Sequence, residues 1–230
     1  MLPKNNTVQY DDFGETFWKS RLDLRWEEID EILAHFINRA SSTGLIADVG
    51  CGNGRLLRHI REHESTRMYR ENFQTYIWLD TSEVLLNQAK VQDWWDVFSE
   101  VDWRVADMRD IGSELSPVWL FDGVFFIASF HHLQTHEERL SVLQQSKKLL
   151  SKTGEIVMTN WNLTHPSQSK YKDKKIAEYP DGSADYMIKI GQHERFYHAF
   201  SHEEYLLLAQ EAGLEISDTF GERNSVVFWS

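Results

Sequence analysis

The sequence predicts an α/β protein: a doubly wound, mainly parallel sheet of seven strands with helices on both faces and an insertion after the fifth strand. Three observations carry this. Short apolar runs alternate with amphipathic helical stretches through the first 160 residues, the order that builds parallel strands with crossover helices. The first apolar run, Leu45-Ile46-Ala47, enters Asp48-Val49-Gly50-Cys51-Gly52-Asn53-Gly54, a glycine-rich turn between strand and helix. After Trp161 the pattern dissolves into a polar stretch before a last helix and two last strands.

Each element has its own signal. From Trp26 the apolar residues Ile29, Ile32, Leu33, Phe36, Ile37 and Ala40 recur at helical spacing, with Gly44 just past the end. The helix after the glycine turn starts near Arg55 and carries Leu56, Leu57 and Ile60 on one face. Tyr76 to Leu79 is a strand, Ser82 to Lys90 a helix, Val101 to Val105 a strand, and Phe121 to Ala128 a strongly apolar buried strand. Glu137 to Leu150 is an amphipathic helix and Glu155 to Asn160 the fifth strand. Asn162 to Glu194, with Pro166, Pro180 and Gly182, is the insertion. Ser201-His202-Glu203-Glu204 has the form of a capping box opening a helix that runs through Leu208 to Ala212 and ends at Gly213. Leu214 to Ile216 and Ser225 to Trp229 are the final strands. The organisation expected is one domain: a helical segment 1–44, a ligand-binding core 45–160, a substrate or lid insertion 161–195, and a C-terminal part 196–230.

Composition narrows the function classes. A length of 230 residues suits one domain with a substantial core. The single Cys51 excludes internal disulfides and a cysteine-based zinc site, and no metal site is expected. No apolar run approaches membrane-spanning length and no signal-peptide core appears, so a cytoplasmic protein without membrane contact is expected. The formal charge of −12 argues against tight nonspecific binding to nucleic acid such as DNA, since phosphate contacts usually need a net basic face.

The glycine turn lets a ligand approach the backbone, since a Cβ would forbid positive φ and push the ligand away. The following helix points its electropositive N-terminus at the same spot. A dinucleotide fingerprint would need a third glycine at position 55, which is Arg55, so that spacing fails. The acid-x-G-x-G-x-G arrangement resembles class I S-adenosylmethionine (AdoMet) methyltransferases, which implies a Rossmann-like fold with AdoMet as cofactor. In such a sheet the ligand lies at the carboxyl ends of the strands. Asp80, with Thr81, closes the second strand where a carboxylate could accept both ribose hydroxyls; the alternative is a helix-cap acid, a place Ser82 already offers to fill. Asp107 follows the third strand, placed to accept from an adenine amino group with Met108 on the ring face, or else a turn acid. The fourth strand ends in Ser129-Phe130-His131-His132, beside the transferable methyl group. The expected cofactor residues are thus Asp48, Gly50, Cys51, Gly52, Asn53, Gly54, Asp80, Thr81, Asp107, Met108 and Ser129.

Further segments resemble one methyltransferase family, that which esterifies 5-carboxymethyluridine at the tRNA wobble position and includes the C-terminal domain of a eukaryotic AlkB-type protein. Tyr10, Phe17 and Arg21 stand in its Y-x6-F-x3-R arrangement, with Trp26 following. His131-His132-Leu133-Gln134-Thr135 with Arg139 is similar to its HHL-x-T-x-x-x-R segment, and Gly154 with Trp161 to its fifth strand. Arg195-Phe196-Tyr197-His198-Ala199-Phe200 resembles R-Y-Y-H-L-F, and Glu222-Arg223-Asn224 its acidic-x-N ending, although Ser225 stands where the family has an aromatic residue. The resemblance implies tRNA as substrate and, as in some relatives, a small zinc-containing activator protein as partner. Lys170, Lys172, Lys174 and Lys175 form either a local phosphate patch or a solvated loop.

Methyl transfer from a sulfonium is an in-line displacement in which orientation supplies roughly 7–11 kcal/mol. A carboxylate acceptor needs no general base, only groups that orient it. Arg21 and Arg195 are the expected carboxylate-orienting residues, Tyr197, His198 and His132 the expected pocket donors, and Trp161 a stacking wall. If the acceptor instead had a proton to lose, His131 or His132 would be the base. Two alternatives stand beside the tRNA reading: a methyltransferase for a small acidic or phenolic metabolite, and a catalytically silent binding subunit.

Overall fold

The computed structural model describes residues 26–39, 44–62, 74–91, 98–115, 120–190, 193–221 and 223–230. Tyr10, Phe17, Arg21, Ala40 and Glu222 lie outside the described residues.

Helix α1 (Glu27–Arg39) packs beneath the sheet before β1 (Leu45–Val49) enters the glycine turn. Then come α2 (Arg55–Glu62), β2 (Thr75–Asp80), α3 (Glu83–Lys90) and β3 (Glu100–Val105). A 3-10 turn at Met108–Asp110 leads to the short α4 (Ile111–Glu114), then to β4 (Phe121–Ile127), which is buried along its whole length. Helix α5 (His136–Leu149) runs into β5 (Leu150–Trp161). Helix α6 (His202–Ala212) comes later in the chain, after β6 to β8 described below, and β9 (Ile216–Phe220) and β10 (Asn224–Trp229) close it.

The main sheet has the order β3-β2-β1-β4-β5-β10-β9. Its first five strands pair in parallel, and only β10 runs antiparallel, against β5 and β9. Each face is closed by its own apolar core. One joins Val142 and Leu143 of α5 and Leu208 of α6 to Val124, Phe126 and Met158 of the sheet. The other joins Ile32 and Phe36 of α1, Leu57 and Ile60 of α2, and Leu86 of α3 to Trp78, Phe125 and Val157. The strand order reverses between β1 and β4, so the carboxyl ends of these two strands open the crevice in which doubly wound sheets bind ligands.

The expected patternless insertion is in fact ordered. A 3-10 segment (Pro166–Lys174) precedes β6 (Lys175–Glu178), β7 (Ala184–Ile190) and β8 (His193–Ala199), which form a second, antiparallel sheet. Its own core gathers Leu163, Ala184, Tyr186, Ile188 and Tyr197. Strand β8 crosses the division expected between residues 195 and 196. It escaped the apolar pattern because its sequence, HERFYHA, buries charged and ring side chains on both faces in place of aliphatic ones.

The two helix starts exchange roles. At Ser201 the hydroxyl accepts from the Glu204 N–H at 3.0 Å, but the Glu204 carboxylate turns away to ionic partners, so the expected box is only half formed. The complete reciprocal box lies at α5, where Thr135 and Glu138 cap one another's backbone.

Candidate active site

The glycine turn is pinned to the neighbouring strand. Gly50 N–H and Cys51 N–H donate to the Leu79 carbonyl at 2.6 and 3.2 Å, and Gly52 N–H donates to Asp80 Oδ2 at 2.7 Å. Gly50, Gly52 and Gly54 all have positive φ, at 69°, 54° and 75°. A Cβ on Gly50 would collide with Ser129, whose hydroxyl donates to the Val49 carbonyl at 2.6 Å and so ties β4 to β1.

Above this turn lies a cavity of about 390 Å³. Asp48, Gly50, Cys51, Gly52, Asn53, Asp80, Thr81, Asp107, Met108, Ser129, His132, Arg195 and Tyr197 all line it. Gly54 and His198 do not. Gly54 sits behind the turn against Trp78.

At one end the buried Asp48 accepts from the Tyr76 hydroxyl through Oδ2 at 2.8 Å, while its Oδ1 makes no hydrogen bond among the described residues. Burial, only partly offset by the Tyr76 hydrogen bond, pushes its carboxyl up to about 7. The amide nitrogen of Asn53 is likewise buried without a hydrogen-bond partner among these residues. A buried acceptor and a buried donor, both on cavity-lining residues, match the ammonium and carboxylate of an amino acid group, which the methionine end of AdoMet carries. Asp80 accepts Gly52 N–H on Oδ2 and Ser82 N–H on Oδ1 at 2.9 Å, and burial raises its carboxyl. The helix cap itself is Ser82, which accepts from Leu85 N–H.

Asp107 has a second occupation. It caps the 3-10 turn through the Arg109 N–H and binds that guanidinium at 3.0 and 2.6 Å, while Arg109 also reaches Glu138 at 3.1 Å. Burial alone would raise the carboxyl, but Arg109 holds it below its ordinary value. Arg109 lines the cavity and was missed in the sequence; its place two residues after Asp107 was the available signal.

At the other end two histidines are locked into opposite tautomers. The backbone N–H of Trp161 donates to His131 Nδ1 at 3.2 Å, which places the His131 proton on Nε2. His132 Nδ1 lies 2.9 Å from the Phe196 carbonyl and must donate to it, which leaves Nε2 as the acceptor for the Arg195 guanidinium at 2.6 Å. Both rings are kept neutral. Burial, reinforced by the Arg195 charge, lowers His131 to about 3 and His132 well below its ordinary value. Tyr197 stacks on Trp161 with ring centroids 5.1 Å apart and planes 13° from parallel, and Arg195 lies over the Tyr197 ring at 5.4 Å.

The alternation of β8 explains why His198 is elsewhere. Arg195 and Tyr197 face the cavity, so His198 faces the opposite side. There it is 1% exposed and donates from both nitrogens, to Asp185 and Glu204, at 2.6 Å each. Arg139 pairs with Glu204 at 3.2 Å, and the Tyr179 hydroxyl donates to Asp185 at 2.6 Å. The expected pocket donor is therefore part of an ionic cluster joining the small sheet to α5 and α6.

Among the described residues no group of acidic, histidine or cysteine side chains could hold a metal ion. No described helix is long and apolar enough to cross a membrane.

Residues 47–156 match the profile of a methyltransferase domain. The chain is 27% identical over 179 residues, 76% of its length, to a Xenopus tropicalis protein named tRNA (carboxymethyluridine(34)-5-O)-methyltransferase alkbh8, of which it spans 24%. It is 30% identical over 142 residues, 61% of its length, to the tRNA U34 carboxymethyltransferase of Mannheimia succiniciproducens, of which it spans 37%. The fold is that of a solved AdoMet-dependent methyltransferase from Clostridium acetobutylicum, with TM-score 0.68, 13% identity, and coverage of 96% of this chain and 98% of the other.

Proposed function

We propose that this chain, a methyltransferase by the domain it carries at residues 47–156, uses AdoMet to esterify the carboxylate of a 5-carboxymethyl uridine at the tRNA wobble position. One observation carries the choice of acceptor: neither cavity histidine has a free lone pair. His131 Nδ1 is taken by the Trp161 N–H and His132 Nε2 by Arg195. The histidines therefore cannot remove a proton, and the acceptor they suit arrives already ionised.

The residues at that end fit such an acceptor. The Arg195 guanidinium, fixed by His132, and the His131 Nε2–H offer donors to a carboxylate. The stacked Trp161 and Tyr197 offer an aromatic wall for a planar base. At the cofactor end, Asp48, Asn53, Asp80 and the glycine turn are the residues that would hold AdoMet, which supplies a methyl group on an activated sulfonium leaving group. The chain's own contribution is orientation, worth roughly 7–11 kcal/mol when the reacting groups are well aligned. The names of the two tRNA-acting relatives support the uridine at position 34.

A methyltransferase for a small planar carboxylic acid is the second reading, favoured by the net charge of −12, which needs no explanation if no polyanion is bound. Labelled methyl transfer to bulk tRNA and to a metabolite extract, followed by nucleoside mass spectrometry, decides between them. Label in an alkali-labile 5-substituted uridine ester is the expected result. Label confined to metabolites would overturn the tRNA reading.

A further inference from the structure

The segment between Pro166 and Lys175 does more than lead into the small sheet. It interleaves one aromatic ring with basic side chains, as Lys170-Tyr171-Lys172-Asp173-Lys174-Lys175. Lys170, Lys172 and Lys174 are exposed, while Lys175 spends its charge on Glu178 at 3.0 Å. Asp173 is the acid within the run, so the exposed side chains remain net basic in a chain of net charge −12.

Tyr171 connects this basic segment to the cavity. Its ring stacks on Trp161 with centroids 6.0 Å apart and planes 29° from parallel, and Trp161 stacks in turn on the cavity residue Tyr197. Lys170 lies over the outer ring at 4.9 Å. Three aromatic rings thus form a column that starts buried beside Arg195 and ends half-buried under a lysine ammonium. Basic groups tracking a backbone, with aromatic faces for unstacked bases, are the two components of single-stranded nucleic acid binding. A solvated lysine loop would have no need of an aromatic path to the reaction centre.

We propose that the Pro166–Lys174 segment is a docking surface for a single-stranded RNA loop, with Lys170, Lys172 and Lys174 on phosphates and Tyr171 stacking a base next to the acceptor nucleotide. This rests on the tRNA reading and adds to it the route by which an acidic protein holds RNA. The global charge of −12 then opposes approach at long range without preventing contact, because counterion release depends on the lysines that touch phosphate.

The test is fluorescence anisotropy of a labelled RNA hairpin with a 5-carboxymethyluridine in its single-stranded loop, titrated from 0.1 to 1 M salt against the wild-type chain, the triple variant K170Q/K172Q/K174Q, and Tyr171→Ala. Neutralising three phosphate contacts on a single strand removes about 2 from the slope of log affinity against log salt. The triple variant is therefore expected to bind about a hundredfold more weakly than wild type at 0.1 M salt and equally at 1 M salt. Tyr171→Ala is expected to lose affinity with an unchanged slope, and Tyr171→Phe to keep it. AdoMet binding and thermal melting of every variant serve as the folding control.

Equal binding by the triple variant and wild type would overturn the proposal, and would leave the tRNA reading standing if the RNA is still methylated. Lysine-dependent hairpin binding without methyl transfer would uphold the surface and remove the wobble-uridine reading. Displacement of the hairpin by polyglutamate at equal charge concentration would also overturn the proposal, since it would mark a general polyanion surface.

Discussion

The indole of Trp78 lies where the side chain of any residue other than glycine at position 54 would have to go. Trp78 is fully buried and packs against Trp103 with ring centroids 4.2 Å apart and planes tilted by 37°, which resists its moving aside. Gly54→Ala therefore combines backbone strain at φ 75° with overpacking of the core beneath the turn. A loss of about 2–4 kcal/mol is expected, the sum of roughly 1 kcal/mol for strain and 1–3 for overpacking. Gly182, at φ 85° with nothing near its absent Cβ, isolates the strain: Gly182→Ala should lose only about 1 kcal/mol. Urea unfolding of both variants at unchanged m checks the pair, and equal losses would show that Trp78 does give way.

The second expectation concerns the bond between Arg195 and His132. Arg195→Ala removes the buried guanidinium from the acceptor end of the cavity, and a charge-assisted contact of that kind contributes about 2–5 kcal/mol. kcat/KM for the acceptor should fall by roughly 30-fold or more, with AdoMet affinity little changed because Asp48 and Asn53 are untouched. His132→Ala leaves the guanidinium in place but removes one of its partners, so its loss should be smaller, and the double variant should be no worse than Arg195→Ala alone. Single-turnover kinetics with calorimetric titration of AdoMet measures all three, and additive losses would mean that His132 acts independently of Arg195.

Much of this cavity was legible before any coordinates. The turn from Asp48 to Gly54, Asp80, and the Ser129 to His132 segment announce themselves because a parallel strand end must be polar where the interior is apolar. The small sheet did not, and the reason is visible in β8. Its buried face toward the ionic cluster holds His198 against Asp185 and Glu204, and its cavity face holds Arg195 and Tyr197, so it has no aliphatic alternation to read. Which way His198 points depends on strand register, which a motif does not contain. The proton positions on His131 and His132 were hidden for a related cause, since each is fixed by a backbone group from a distant segment, Trp161 N–H and the Phe196 carbonyl.

The third expectation is a pH dependence set by Asp48. Burial raises this carboxyl to about 7, so near neutrality it is partly protonated. In the unfolded chain an aspartate titrates near 3.9. Between these values the folded state binds more protons, so the Asp48 contribution to stability is present at low pH and is lost as pH rises through about 7, by up to about 4 kcal/mol. Ligand affinity runs the other way, because pairing with a ligand ammonium needs the carboxylate. AdoMet affinity should rise with pH below about 7 and level off above it. Asp48→Asn should remove both trends, raising the melting temperature of the ligand-free protein at pH 8 while weakening AdoMet. Calorimetric titration at several pH values checks this, and a pH-independent affinity in the wild type would show that Asp48 does not meet the ligand cation.

The last expectation follows from His198. Burial alone would lower this imidazole, but hydrogen bonds to Asp185 and Glu204 outweigh it and raise the group above its ordinary value. For a base whose folded value is raised, the stabilisation is fully present below the unfolded value near 6.5 and is lost as pH climbs through the folded one. Arg139 on Glu204 and the Tyr179 hydroxyl on Asp185 remain when the imidazolium deprotonates, so the cluster should loosen and the main fold survive. Replacing the side chain is harsher. His198→Ala leaves two buried carboxylates without their shared cation, a change of about 3–5 kcal/mol. Because Arg195 and Tyr197 sit on the opposite face of the same strand, the loss should reach acceptor binding before it reaches AdoMet binding. Protection factors of the β7 and β8 amides, corrected for the intrinsic base-catalysed rate, should fall as pH rises through the His198 titration and in His198→Ala, while those of the β1 and β4 amides hold. A fall spread evenly over both sheets would mean that the cluster holds the whole domain together and not the small sheet in particular.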